Sequence, residues 1–195
     1  MILMSLPPRN LLSVFCLALV VVGMPLASAE EGISLLEPGQ PSMGWVFDNG
    51  QEYPGAKGGL VAVESSSQDG GDVLRLTGDF SEGGAYVQML RDVSAGEVGG
   101  LVFKVKASNV DRMKLRLIDE TGQCFQSNPI MLGEGSWQEV NVDIADIAKG
   151  EHWGGAADGI WHGALSKVGV LLSSKGSVPE ASIEFSDIRT LPVIK

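Results

Sequence analysis

Alternation with a period of two runs through most of this chain and restricts the fold more than any other feature. Leu101, Phe103 and Val105 alternate with Val102, Lys104 and Lys106. Met113, Leu115 and Leu117 alternate with Lys114, Arg116 and Ile118, and Val140, Val142 and Ile144 with Glu139, Asn141 and Asp143. Val168, Val170 and Leu172 repeat the pattern, as do Leu74 and Leu76 about Arg75, and Ile183 and Phe185 about Glu184. Successive side chains of a strand point to opposite faces, so each run reads as a strand with one buried side. Turn pairs such as Asp69-Gly70-Gly71, Gly83-Gly84, Gly99-Gly100, Thr121-Gly122 and Lys175-Gly176 separate the runs. The spacing predicts strands over 44–48, 59–64, 72–78, 85–91, 100–107, 112–119, 123–127, 137–143, 167–173 and 182–189, with a helical turn only at Ile144 to Lys149. Short strands at this spacing make an all-β sandwich or barrel.

Residues 1–29 read as an export leader. Arg9 is the only charge before the apolar run Leu11 to Val22, Gly23 and Pro25 break that run, and Ala27-Ser28-Ala29 offers small residues for cleavage after Ala29. The run is shorter than the ~20 residues that span a bilayer, which disfavours the rival reading of a retained anchor. Phe15 before Cys16 is too large for a lipid-attachment signal. The expectation is a secreted or periplasmic protein with no membrane segment after cleavage. Residues 30–43 hold two prolines and read as a loosely held lead-in, and 44–195 as one domain.

The formal net charge is −10, and losing Arg9 with the leader makes it one unit more negative. A phosphate backbone would be repelled, so nucleic acid is not an expected partner. Cys124 is the one cysteine outside the leader, which leaves no intramolecular disulfide and favours a buried thiol. Oligomeric state is not legible.

The longest stretch without alternation is 150–164, which holds both histidines of the chain and two of its four tryptophans. Loops of this length are functional or packed by their own side chains. The string Trp153-Gly154-Gly155-Ala156-Ala157-Asp158-Gly159-Ile160-Trp161-His162-Gly163 resembles a loop signature of galactose-binding-like jelly-roll domains of the carbohydrate-binding-module type, found in bacterial exported proteins. Tyr53-Pro54-Gly55-Ala56, Asp79-Phe80-Ser81 with Gly83-Gly84-Ala85-Tyr86-Val87, Leu115-Arg116-Leu117-Ile118-Asp119 with Thr121-Gly122-Gln123, Gly135-Ser136-Trp137 and the closing Ile183-Glu184-Phe185-Ser186-Asp187-Ile188 fit the same pattern. The resemblance spans about Trp45 to Ile188. It implies a jelly-roll β-sandwich of two antiparallel sheets and a carbohydrate (glycan) as partner. A structural calcium near the first and last strands is also implied, for which Asp48, Glu52 and Asp187 are the nearest acids.

Within that frame Trp153 and Trp161 are the first candidates. A flat ring can lie against the apolar face of a sugar while Asp158, His152 and His162 orient its hydroxyls. The alternative is that both indoles fold inward and pin the loop. Lys104, Lys106, Lys114 and Arg116 all point away from the apolar side of consecutive strands. If those strands are antiparallel neighbours, the four cations share a face that suits hydroxyl-rich or acidic glycans, with Gln88, Gln123 and Gln126 beside them. The alternative is a solvated face balanced by Glu139 and Asp143. No Gly-x-Ser-x-Gly, His-Glu-x-x-His or phosphate-cradling glycine loop occurs, so the chain is not expected to be an enzyme. The expected function is non-catalytic carbohydrate binding, with a structural or protein-interaction module of the envelope as the alternative and a sandwich-type hydrolase or lyase as a weaker third.

Overall fold

A computed structural model of the chain describes residues 32–36, 44–64 and 72–193. The expected leader, Cys16 and the cleavage site lie outside the described residues. Among the described residues no helix is long and apolar enough to cross a membrane.

The alternating runs form strands. In chain order they are β1 (Trp45–Asp48), β2 (Lys57–Glu64), β3 (Asp72–Asp79), β4 (Tyr86–Asp92), β5 (Gly100–Val110), β6 (Arg112–Asp119), β7 (Cys124–Gln126), β8 (Ile130–Met131), β9 (Gln138–Asp143), β10 (Glu151–Trp153), β11 (Leu165–Ser173) and β12 (Ser177–Leu191). One helical turn, α1 (Ile144–Ile147), follows β9 and buries Ile144 and Ile147. The predicted strands are all present. Two short ones escaped prediction: β8, and β10 at the start of the expected loop.

All pairings between these strands are antiparallel, and they form two sheets. The larger runs β1-β4-β11-β6-β7-β10, with β8 beside β6, and the smaller runs β2-β3-β12-β5-β9. This is the jelly-roll sandwich. Leu74, Leu76, Phe103, Val105, Ile183, Phe185 and Ile188 of the smaller sheet face Val87, Met89, Leu115, Leu117, Phe125, Val168, Val170 and Leu172 of the larger one. Phe103 and Phe185 meet edge to face at 6.3 Å. Each such side chain removed from water contributes about 1.5–3 kcal/mol before ordering costs. The same alternation sends Gln88, Leu90, Lys114, Arg116, Ile118 and Gly169 to the outer face of the larger sheet.

The chain changes sheets between β5 and β6. Only Asp111 separates them. Asn109 takes the left-handed conformation (φ 59°), which asparagine tolerates better than most residues. The Asp111 N–H then reaches the Gly176 carbonyl (3.3 Å) and its carbonyl accepts from Leu132 N–H (2.8 Å). This corner overturns one expectation. Because β5 and β6 belong to different sheets, Lys104 and Lys106 lie on the opposite side of the sandwich from Lys114 and Arg116.

The expected lead-in is also firmer than its prolines suggest. Leu35 and Leu36 are buried, the Leu35 N–H donates to the Ile188 carbonyl (2.7 Å), and the Trp45 indole N–H donates to the Leu35 carbonyl (2.8 Å). Residues 32–36 therefore lie along the end of β12 as part of the fold.

Candidate functional site

The outer face of the larger sheet gathers an aromatic and polar row around Arg116. Its position on β6 is in register with Gly169 of β11 on one side and Gln126 of β7 on the other. Its Nε donates to Gln126 Oε1 (3.0 Å), and its Nη1 donates to Gln88 Oε1 (3.1 Å) and the Tyr86 hydroxyl (3.2 Å). To reach Gln88 and Tyr86 on β4 the guanidinium crosses over β11. Its carbon lies 4.6 Å from the centre of the Tyr86 ring and 5.4 Å from that of Trp153, within the range of cation–π attraction.

Acids at the rim hold this row in place. Gln88 Nε2 donates to Asp48 Oδ2 (2.9 Å), Gln126 Nε2 donates to Glu151 Oε2 (2.6 Å), and the Tyr86 hydroxyl donates to Glu52. The phenol hydrogen bond keeps the Glu52 carboxyl below its ordinary range. Burial, then Glu52, raises Tyr86. Tyr53, exposed at the surface, meets Tyr86 edge to face at 6.3 Å. The network thus runs from Asp48 on β1 to Glu151 on β10, across a sheet whose strands are ~4.8 Å apart.

Beside it lies an open groove of about 290 Å³ lined by Gln88, Leu90, Arg116, Ile118, Gly122, Cys124, Trp153 and Lys167. Trp153 is 43% exposed, unusually so for a large ring. An apolar wall with few convergent polar groups is the usual make-up of a ligand site. A second groove, about 370 Å³ on the smaller sheet, has no aromatic residue in its lining.

The two tryptophans of the expected loop part company. Trp153 pairs in register with Cys124 and shares its face, whereas His152 is in register with Phe125 on the core side. Trp161 lies on that core side too, 5.3 Å from Phe125, and its indole N–H donates to the Gly163 carbonyl (3.1 Å). Trp153 and Trp161 therefore do not form one platform. His152 stacks toward Phe125 at 6.2 Å.

Asp158, His162 and Gln123 brace the loop. Gln123 is fully buried. Its amide donates to the Ile160 carbonyl (2.8 Å) and to Asp158 (3.3 Å) and accepts the Gly159 N–H (3.1 Å). It is not on the outer face with Gln88 and Gln126, as had been expected. The Ile160 N–H, then His162 at 2.9 Å, hold the Asp158 carboxyl down at about 2. Gly155 (φ 50°) passes so close to the Gln123 backbone that a Cβ would lie 2.1 Å from its nitrogen.

The remaining expected residues are scattered. Lys114 is on the larger sheet's outer face, in register with Leu171 next to the groove. Lys106 lies 3.4 Å from Glu184, which also pairs with Arg75 (2.5 Å), and its ammonium sits 6.0 Å above the Trp137 ring. Lys104 is in register with Glu139 and Asp187. The expected calcium set does not assemble. Asp48 and Glu52 flank the larger sheet, while Asp187 is on the smaller one, paired with Arg189 at 3.3 Å. No group of three or more His, Cys, Asp or Glu able to hold a metal occurs among the described residues.

Tyr86 and Tyr53, quoted in the sequence only as parts of the resemblance, were not singled out there as site residues, and neither was Gly169. The signal for Tyr86 was present, since Val87 and Met89 point inward and the residues that alternate with them, Tyr86 and Gln88, must point out.

No protein-family model matches the chain, and no curated protein matches it. Solved structures do. The family 11 carbohydrate-binding module of a cellulosomal cellulase from Clostridium thermocellum is similar over 86% of this chain and 98% of its own, at 12% identity and a TM-score of 0.60. The solution structure of CtCBM11 matches 87% of this chain and 100% of its own, at 12% identity and a TM-score of 0.61. An agarase matches over 84% of this chain and 25% of its own, at 14% identity and a TM-score of 0.53. At these identities the likeness is one of fold, and the fold is the jelly roll of carbohydrate-binding modules.

Proposed function

We propose that this is an exported, non-catalytic carbohydrate-binding protein whose site is the outer face of the larger sheet. The observation that carries the reading is the placement of exposed Trp153 beside Arg116 and Tyr86 over a groove. A sugar ring can stack its C–H face on the indole while the guanidinium and the Gln88 and Gln126 amides meet its hydroxyls. The network through Asp48, Glu52 and Glu151 holds those groups in fixed rotamers before the ligand arrives, which lowers the ordering cost of binding.

The non-catalytic part rests on how the acids at the rim are used. Asp48 accepts from Gln88, Glu151 from Gln126 and Glu52 from Tyr86, so each orients a neighbour. Export rests on the leader read in residues 1–29. The fold shared with carbohydrate-binding modules supports the sugar and leaves the kind of sugar open.

The test is a glycan array probed with the chain from residue 30 onward and with its Trp153→Ala variant. Capture by a defined set of glycans is expected, and the variant should lose it while keeping the wild-type unfolding curve. Unchanged capture by Trp153→Ala would remove this face as the site.

A further inference from the structure

The groove beside Arg116 has two unlike halves. One is apolar. Leu90, Ile118 and Cys124 line it, with Trp153 beside them. Burial pushes the Cys124 thiol up to about 11, so at neutral pH it stays protonated and behaves as a small apolar group. Between Leu90 and Arg116 in register is Gly169, which adds no side chain. Leu90 Cδ2 closes over it, 2.9 Å from where a Cβ would be. Lys167, in register between Asp92 and Ile118, ties its ammonium to Asp92 (3.0 Å).

The other half is polar, but most of its groups are spent on one another. Gln88 sits between Arg116 and Asp48, and Gln126 between Arg116 and Glu151. The Nη2 of Arg116 has no acceptor among the described residues. The groove therefore offers an apolar lining next to a charged donor with an N–H group not used within the described residues. A ring bearing only hydroxyls meets the donor and leaves the apolar half without a partner. A sugar carboxylate meets the donor too, but it would lie among Asp48, Glu52 and Glu151. An acyl group answers both halves. Its methyl rests on Leu90, Ile118 and Cys124, and its uncharged carbonyl oxygen accepts from Arg116.

We propose that the ligand is an acylated glycan, carrying acetyl esters or acetamido groups, and that Leu90, Ile118 and Arg116 read the acyl substituent. This rests on the sugar-binding reading of the same face. Burying one methyl is worth roughly fourfold in affinity, and that methyl is the difference between the two forms, since a hydroxyl also meets the Arg116 donor.

The experiment uses an array of matched pairs: acetylated and deacetylated forms of the same xylan, glucomannan and chito-oligosaccharides. Hits are followed by calorimetry with the wild-type chain and with Ile118→Ser. Acetylated members should bind about fourfold or more tighter than their deacetylated partners. Ile118→Ser should shrink that ratio to about twofold or less. Equal binding of both forms, or a full preference in Ile118→Ser, overturns the acyl proposal and leaves sugar binding standing. Capture of no member of either kind overturns the acyl proposal, and together with an empty full glycan array it overturns sugar binding as well.

Discussion

The carboxylate of Asp119 accepts the main-chain N–H of His162, forty-three positions further along the chain, at 3.1 Å. Its other oxygen accepts from Thr121 N–H (2.9 Å), the Thr121 hydroxyl (2.7 Å) and Gln123 N–H (3.1 Å). One side chain with no exposed surface thus fixes both the β6–β7 turn and the glycine-rich loop. That loop and turn in turn set the edge on which β10 presents Trp153. Truncation to Asp119→Ala leaves the buried Gln123 N–H and the half-buried His162 N–H without this acceptor, each costing about 1–3 kcal/mol. The variant should lose about 3 kcal/mol in urea unfolding. A loss under about 1 kcal/mol would show that the loop holds itself.

The acid limb of stability should carry the mark of Asp158. Its carboxyl sits at about 2, against an ordinary 3.8, because it accepts the Ile160 N–H and faces His162. The folded value lies below the unfolded one, so folding favours the ionised form. That contribution is whole above the unfolded value and fades as pH falls from about 4 through about 2. Asp119 acts in the same direction. Burial works to raise it, but hydrogen bonds from Thr121, His162 and Gln123 outweigh burial and hold it down. Asp158 is 40% exposed, so its share is small. The urea midpoint of the wild-type chain should fall below pH about 4, and less steeply in Asp158→Asn. Identical acid limbs would remove Asp158 as a contributor.

Opposite outcomes are expected for two tryptophans eight residues apart. Trp161 packs on fully buried Phe125 at 5.3 Å, so Trp161→Ala removes packing and should cost about 2–4 kcal/mol. Trp153 is exposed, so Trp153→Ala should stay within about 1 kcal/mol of wild type and lose glycan capture. Comparing melting temperatures with array signals for the pair checks this. Equal losses of stability would mean that Trp153 too is chiefly structural.

How much of this was legible follows from what alternation encodes. Parity along a strand is local, so it placed Lys104, Lys106, Lys114 and Arg116 away from the core correctly. Which sheet a strand joins depends on partners far along the chain. A single-residue corner at Asp111 reads like a hairpin in the sequence, and it separates the lysines of β5 from Arg116. The two-residue β8 and the three-residue β10 are too short to show a period. The indole strings of the loop look alike, yet Trp153 lies on β10 facing out and Trp161 lies after the loop's bends facing in. Gln88, Arg116 and Gln126 were legible as outward polar residues. Their union into one network was not, because it needs the order β4-β11-β6-β7.

Gly169 gives a sharper test of that network than any residue that touches ligand. No positive φ requires a glycine there. Space favours one, since an added Cβ would lie 2.9 Å from Leu90 Cδ2, the end of a side chain that can shift, and 3.2 Å from Arg116 Cβ. A glycine inside a central strand weakens the strand and commonly marks a close approach of other groups. Here the approach is that of Arg116, which must lie low over β11 to donate to Gln88 and Tyr86 on β4. In Gly169→Ala the new methyl presses Leu90 and Arg116 apart and lifts the guanidinium from its acceptors. The β backbone gains from losing a glycine, so stability should change by no more than about 1 kcal/mol. Glycan affinity should fall about tenfold, the equivalent of one hydrogen bond to a charged group. Adding Leu90→Ala clears the 2.9 Å clash but leaves the Arg116 side crowded. The double variant should therefore recover polar contacts only in part, seen as affinity between that of Gly169→Ala and wild type toward a deacetylated glycan. Wild-type affinity in Gly169→Ala would mean that Arg116 does not need this path across the sheet.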